Sequence, residues 1–367
     1  MNMADIQNII HKDNKYLDKK QPHTNYKIKY VSEYVKRWTY IACVSEVSNI
    51  NFIDCMCNAG VYADGDYCSA TEVFMSFVEA ASKYKEKHFN LFLNDYDDNR
   101  IRIIKEVLHS ICNTLPNNLH VYYENEDVNV YLKQLINKHP QLFKYPSRTV
   151  LYVDPYDFHT VIIENLSYFI ASTYCELLFN LFTSDYLRNK DDAGIQKVLG
   201  GSFSFNSIDA LVEHIKTRLK VGKMKFLLAY PFRQSKNVEL YRIVFVSPHP
   251  KGVDKLKETL WQVFEGDRYF RTDSQKESGQ LSLFSSEENR EMTAKFYAEE
   301  IKNKLVDEFK TRIVDFYTIA LYVCENSLFA STQIVKYVIK PLIVEGRIVK
   351  LNRLNRLNYK EEDYRFK

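Results

Sequence analysis

The sequence predicts an α/β fold: an open, mostly parallel sheet ending in an antiparallel edge hairpin, followed by a smaller helical domain. Three observations carry this. From about residue 25 to 265, short apolar runs rich in β-branched and aromatic residues alternate with helical patterns. Two further runs, 225–232 (KFLLAYPF) and 239–248 (ELYRIVFVSP), are joined by only RQSKNV, too short for a helical crossover, so they pair antiparallel. A polar stretch, 271–290, then precedes a segment that reads as helix, turn and basic strand.

The parallel strands are expected at 50–54 (INFID), 89–95 (FNLFLND), 120–125 (HVYYEN), 149–154 (TVLYVD) and 176–182 (ELLFNLF). Helical patterns fill the gaps. Ser69 to Lys87 opens with S-A-T-E, a capping box, and sets Val73, Phe74, Phe77 and Ala81 on one face. Asn99 to Ile111 repeats the pattern with Ile101, Ile104 and Leu108, and Asp127 to Asn137 with Val128, Tyr131 and Leu135. Crossovers of this kind demand a parallel sheet covered on both faces. With the hairpin added, the arrangement is the Rossmann-like sheet of class I methyltransferases. The expected organisation is an N-terminal extension (1–22), the Rossmann-like domain (23–270), a linker (271–290) and a helical, winged-helix domain (291–367). Within the last, a long helical region reaches Cys324, and Pro341 distorts the helix that contains it.

Composition narrows the partners. The 367 residues are 46% hydrophobic and 26% charged, with a net charge of +3, so any nucleic-acid footprint is local. One such patch is the end of the chain, where Arg347 to Lys367 holds seven Lys/Arg against three Glu/Asp. Arg347, Lys350, Arg353 and Arg356 are candidate phosphate contacts there, with a solvated surface strand as the alternative. Seven scattered cysteines and a polar N-terminus without a signal-like apolar core point to reduced thiols and a cytoplasmic protein. No apolar run approaches the roughly 20 residues of a membrane-spanning helix. Cys55, Cys57 and Cys68 lack C-x2-C spacing, so no metal is expected. No Lys-bearing phosphate loop supports nucleotide hydrolysis.

The chain's only early glycines, Gly60 and Gly65, fall in NFIDCMCNAGVYADG, just after the first parallel strand. A strand ending in an acid, then a small-residue turn and a helix, is where doubly wound sheets take a nucleotide. Asn58 and Gly60 tolerate the positive φ such turns need, and Cys57 and Ala59 keep the loop small. Asp54, Cys57, Asn58, Gly60 and Tyr62 are therefore candidate cofactor contacts. Asp95 ends the second strand, where class I methyltransferases grip the ribose hydroxyls. Asp127, with Glu126 as competitor, follows the third, where an acid meets the adenine amino group. For Asp127 the other reading is a helix N-cap.

The fourth strand ends in Asp154-Pro155-Tyr156-Asp157, close to the [D/N/S]-P-P-[Y/F] of methyltransferases that act on amide or exocyclic nitrogens. In that chemistry the acid and a main-chain carbonyl accept the target N–H bonds and turn the nitrogen lone pair toward the methyl carbon. An aromatic ring stacks on the base. The transfer is an in-line displacement, so positioning carries most of the catalysis. Asp154, Pro155 and Tyr156 are the candidate catalytic residues, the alternative being a strand-ending turn.

Taken together, HTNYKIKYVSEYVKRW (23–38), FIDCMCNAGVY, Asp154-Pro155-Tyr156-Asp157 and HPKG (249–252) resemble the motifs of the three-Cys-motif partner (TcmP) family, over nearly the whole chain. The resemblance implies a methyltransferase-like fold using S-adenosylmethionine, a C-terminal winged helix, and a radical-SAM-type protein encoded nearby as partner. It also implies that His23 and Lys27 reach cofactor or substrate. The expected function is methylation of a nitrogen on a nucleic-acid base, RNA or DNA. The alternative is a catalytically degenerate binding module in a bacterial phage-defence or modification system.

Overall fold

The structure is a computed structural model and describes residues 3–189, 192–201, 203–219, 226–235, 238–264, 286–351 and 362–367. The chain divides into two compact units, Met1–Pro248 and His249–Lys367. The division thus falls before the expected 270, and the helix at 250–263 lies in the second unit. The expected N-terminal extension falls within the first unit.

The first unit holds one seven-stranded sheet in the order β3-β2-β1-β4-β5-β7-β6. Its strands are β1 (Asn49–Asp54), β2 (His88–Asn94), β3 (Leu119–Glu124), β4 (Ser147–Val153), β5 (Cys175–Leu181), β6 (Phe226–Ser235) and β7 (Val238–Ser247). β1 pairs parallel with both β2 and β4, while β7 runs antiparallel to β5 and β6. This is the Rossmann-like class I methyltransferase sheet expected from the sequence. Every residue of β5 is buried, as a central strand covered on both faces requires.

Helices supply the cover: α1 (Met3–Asp13), α2 (Pro22–Cys43), α3 (Ser69–Lys83), α4 (Asp98–Ile111), α5 (Val128–Lys138), α6 (Ser167–Ala171), α7 (Thr183–Arg188), α8 (Ala193–Val198) and α9 (Ile208–Leu219). On one face Ile53, Leu151 and Leu177 share a core with Tyr131 and Leu135 of α5 and Phe169 of α6. On the other, Tyr34 of α2 meets Phe245 edge-on at 5.1 Å, and Phe77 of α3 meets Phe89 at 5.6 Å. The capping box expected at Ser69 does not form. Cys68 occupies the N-cap without a side-chain bond, and Ser69 is already helical.

α1 adds a third contact. Ile6, Ile9, Ile10 and Leu17 cluster with Ala59 and Val61 of the loop after β1 and with Ile103 and Val107 of α4. The N-terminal segment thereby lies on the loop that the sequence marked for a ligand.

In the second unit, α10 (Pro250–Val263), α11 (Ser286–Phe309), α12 (Phe316–Asn326) and α13 (Lys340–Val344) pack with a three-stranded antiparallel sheet. Its strands, β8 (Ile313–Asp315), β9 (Ile348–Lys350) and β10 (Asp363–Phe366), lie in the order β8-β10-β9. The long helical region to Cys324 is broken by β8, and Asp315 restarts a helix by accepting the Thr318 amide at 3.0 Å. Pro341 sits in the first turn of α13, directly after a π-turn at Val335–Ile339. The distortion is therefore on the N-terminal side, where proline's missing N–H leaves the preceding ladder to widen. Among the described residues no helix is long and apolar enough to cross a membrane. Residues 271–285 of the expected linker lie outside the described residues.

Candidate functional site

The chain leaves β1 toward β2 on one side and returns to β4 on the other, so the carboxyl ends of β1 and β4 form the topological switch point of the sheet. Asp54 is in register with Tyr152, two residues before Asp154. The loop after β1 and the Asp154-Pro155-Tyr156 turn consequently open into one cavity of about 420 Å³. Asp54, Cys57, Asn58 and Tyr62 line it from the loop, and Asp154, Pro155 and Tyr156 from the turn after β4. His23 and Lys27 of α2 complete the wall. Gly60, Asp95 and Asp127 are not part of that lining.

The loop keeps the expected backbone, with φ of 60° at Asn58 and 83° at Gly60. Its amides are bonded within the protein. Met56 N–H donates to Asp54 Oδ1 (3.1 Å), Cys57 N–H to the Asn94 carbonyl (2.8 Å), Asn58 N–H to Asp95 Oδ2 (3.0 Å) and Ala59 N–H to Asn58 Oδ1 (2.5 Å). Buried amides need partners, and this turn finds them in its own neighbours. Gly60 serves packing: a Cβ there would stand 2.8 Å from Ile104 Cγ1. Its carbonyl accepts from Thr71 Oγ1 at 2.7 Å and from Cys68 N–H at 3.1 Å. Cys55 joins the core under α5, while Cys57 faces the cavity.

The acids fall into distinct environments. Asp54 is buried, and burial pushes its carboxyl up to about 8, helped by the charges of Asp154 and Asp95. One of its oxygens accepts the Met56 amide, and no described group donates to the other. Asp95 is also buried, and its second oxygen accepts the Asp97 amide at 3.1 Å. Asp127 caps α5 by accepting from Asn129 and Val130, which is the alternative its sequence position left open.

Asp154 stands in a dense network. Lys27 Nζ lies 2.7 Å from Oδ2, which also accepts from the Tyr152 hydroxyl at 3.1 Å, and Asn180 Nδ2 donates to Oδ1 at 2.9 Å. Asn180 is held in turn by the Tyr30 hydroxyl at 2.5 Å. Tyr156, half-exposed, lies under the Arg100 guanidinium 4.9 Å from its ring centre and accepts from Arg100 at its hydroxyl. Arg100 also pairs with Asp18 at 2.9 Å, and Asp18 accepts from the Asn58 carboxamide at 2.7 Å. His23 lies against Tyr241, and burial followed by the Lys27 charge holds its imidazole below the usual range.

Sequence reasoning passed over Asn180, Tyr30, Asp18 and Arg100. Two of them left a trace. Asn180 is a polar interruption in the apolar run ELLFNLF, and Tyr30 follows His23 and Lys27 at helical spacing. Asp18 and Arg100 left none, because their meeting depends on where α1 packs.

In the second unit, Arg347 donates to Asn303 at 3.0 Å and lies 3.6 Å from Glu345, and Lys350 lies 3.6 Å from Glu362. These two candidate phosphate contacts already have protein partners. Arg353 and Arg356 lie outside the described residues. Among the described residues no group of three His, Cys, Asp or Glu could hold a metal ion.

Sheet order and the antiparallel seventh strand define a class I methyltransferase-like fold with its cavity at the switch point. No family model matches the chain, and no curated protein matches it. Among solved structures it is similar to a DUF574 family protein from Streptomyces avermitilis, at 10% identity, covering 61% of this chain and 83% of that one with a TM-score of 0.35. It is also similar to a "putative O-methyltransferase" from Klebsiella pneumoniae, at 8% identity, covering 66% and 90% with a TM-score of 0.34.

Proposed function

We propose that this chain is an S-adenosylmethionine-dependent methyltransferase acting on a nitrogen of a nucleic-acid base, and that it belongs with the three-Cys-motif partners. The observation that carries the reading is the opening of Asp154-Pro155-Tyr156 and the loop after β1 into one cavity at the switch point. The cofactor suits the donor set there. A buried carboxyl with one oxygen uncommitted, facing a cavity, is the environment a cationic ligand relieves. Asp54 would hold the ammonium of the methionine part, with Asn58 and Tyr62 beside it. When bound, the cofactor supplies a methyl group made electrophilic by its sulfonium. Asp154 and the carbonyl of Pro155 would accept from the target nitrogen, and Tyr156 would stack on a flipped or single-stranded base. The ribose and adenine contacts expected of Asp95 and Asp127 are not carried into this reading, because their oxygens serve backbone amides.

The helices and three-stranded sheet of the second unit support a winged-helix reading, and a radical-SAM-type partner follows from the family resemblance. The rival reading is a degenerate binding module in a defence or modification complex. It is favoured by the loop amides being internally satisfied and by the ion pair on Asp154. Calorimetry with S-adenosylmethionine separates the two: no heat and no protection from unfolding removes the enzyme. With binding established, methyl incorporation into single-stranded RNA or DNA by the native protein, absent from Asp154→Ala, completes the test.

A further inference from the structure

We propose that Lys27 and Asp154 act as a joined donor–acceptor pair that selects a planar group bearing a hydrogen-bond acceptor next to its N–H. This rests on the reading of Asp154 as the group that meets the target. It departs from that reading by giving Lys27 a specificity role and by excluding isolated amines and phenols as targets.

The argument is one of valence. An ammonium has three N–H donors and a carboxylate about four acceptor positions. Lys27 spends one donor on Asp154 Oδ2 across 2.7 Å, and no other described group accepts from it. Its side chain is 16% exposed and lines the cavity, so the remaining donors are directed into a sheltered space. Asp154 has three positions filled, by Lys27 and Tyr152 on Oδ2 and by Asn180 on Oδ1. One acceptor position is left, on Oδ1. The wall therefore offers donors and one acceptor side by side, flanked by the rings of Tyr156 and Phe182.

A lone amine uses the acceptor and leaves the Lys27 donors dry and unpaired. A group with a carbonyl or ring nitrogen adjacent to its N–H satisfies both. Nucleobase edges and amides have this arrangement. Leaving a buried polar group unmatched is what makes such a site discriminate. Asn180 and Tyr30 fix the carboxylate so that the free position cannot rotate out of reach of the ammonium.

The test uses saturation-transfer NMR and competition titration on the full chain. The probes are guanosine, uridine, adenosine, benzylamine and phenol, each with and without S-adenosylhomocysteine. Native protein is expected to bind the nucleosides at least tenfold more tightly than benzylamine or phenol. Lys27→Met is expected to lose that preference, and Lys27→Arg, which keeps the donors, to restore it to within about threefold. S-adenosylhomocysteine is titrated against the native protein in parallel. Nucleoside binding that Lys27→Met leaves unchanged overturns the proposal, and so does the absence of any preference in the native protein. Failure of S-adenosylhomocysteine to bind, with the nucleoside preference intact, instead overturns the methyltransferase reading and leaves the pair standing.

Discussion

The main-chain amide of Asn58 donates to Asp95 Oδ2 across 3.0 Å, fastening the turn after β1 to the end of β2. The same carboxylate takes the Asp97 amide on its other oxygen at 3.1 Å. An acid that sequence reasoning assigned to a ribose thus spends its bonds shaping the loop.

Asp95→Ala leaves two amides of this region without an acceptor, and the cost is expected to be on the order of 3 kcal/mol. Urea denaturation followed by circular dichroism measures it. An unchanged midpoint would show that the loop holds its shape without the acid.

Gly60 and Gly65 both have positive φ, at 83° and 93°, yet they differ in surroundings. A Cβ at Gly60 meets Ile104 Cγ1 at 2.8 Å and Thr71 Oγ1 at 3.1 Å, whereas at Gly65 the nearest atoms stand at 3.7 Å. Gly65→Ala should cost about 1 kcal/mol from backbone strain alone. Gly60→Ala adds steric displacement of α4 and should cost at least twice as much by the same denaturation assay. Equal losses would refute the packing role.

The Asp54 carboxyl ionises near 3.8 when unfolded and is raised to about 8 in the fold, first by burial and then by Asp154 and Asp95. Between those values the folded state holds a proton that the unfolded chain has released. Native stability therefore falls as pH rises from about 4 to about 8 and levels beyond. Asp54→Asn removes this dependence. The variant should gain on the native protein by up to about 1.4 kcal/mol per pH unit across that window. Paired unfolding curves at pH 4.5, 6 and 7.5 check it, and parallel pH profiles would contradict it.

Lys257 of α10 is fully buried and donates to the carbonyls of Cys324 at 2.9 Å, Val323 at 3.3 Å and Phe329 at 3.4 Å, closing the end of α12. Burial lowers its ammonium from 10.5 to about 8. From about pH 8 to 10.5 the unfolded chain binds the extra proton, so this group's contribution to stability rises with pH. Relative to Lys257→Met, the native protein should gain up to about 1.4 kcal/mol per unit there. Unfolding followed by fluorescence of the neighbouring Trp261 reads this, and a flat difference would exclude the assignment.

What the sequence determined by itself is what local chemistry determines. Alternating apolar runs gave the parallel strands, a six-residue connection forced the antiparallel hairpin, and an asparagine and a glycine marked the turn after β1. Tertiary structure alone decided which groups share the cavity. His23 and Lys27 lie far from Asp154 in sequence and meet it only in the wall of the cavity. Asp95 and Asp127 follow successive strands, yet nearby backbone amides claim them. A buried polar atom bonds whatever donor the packing brings within reach, and sequence spacing does not specify that donor. Asp18 and Arg100 show this most plainly, since their pairing exists only where α1 closes over the loop.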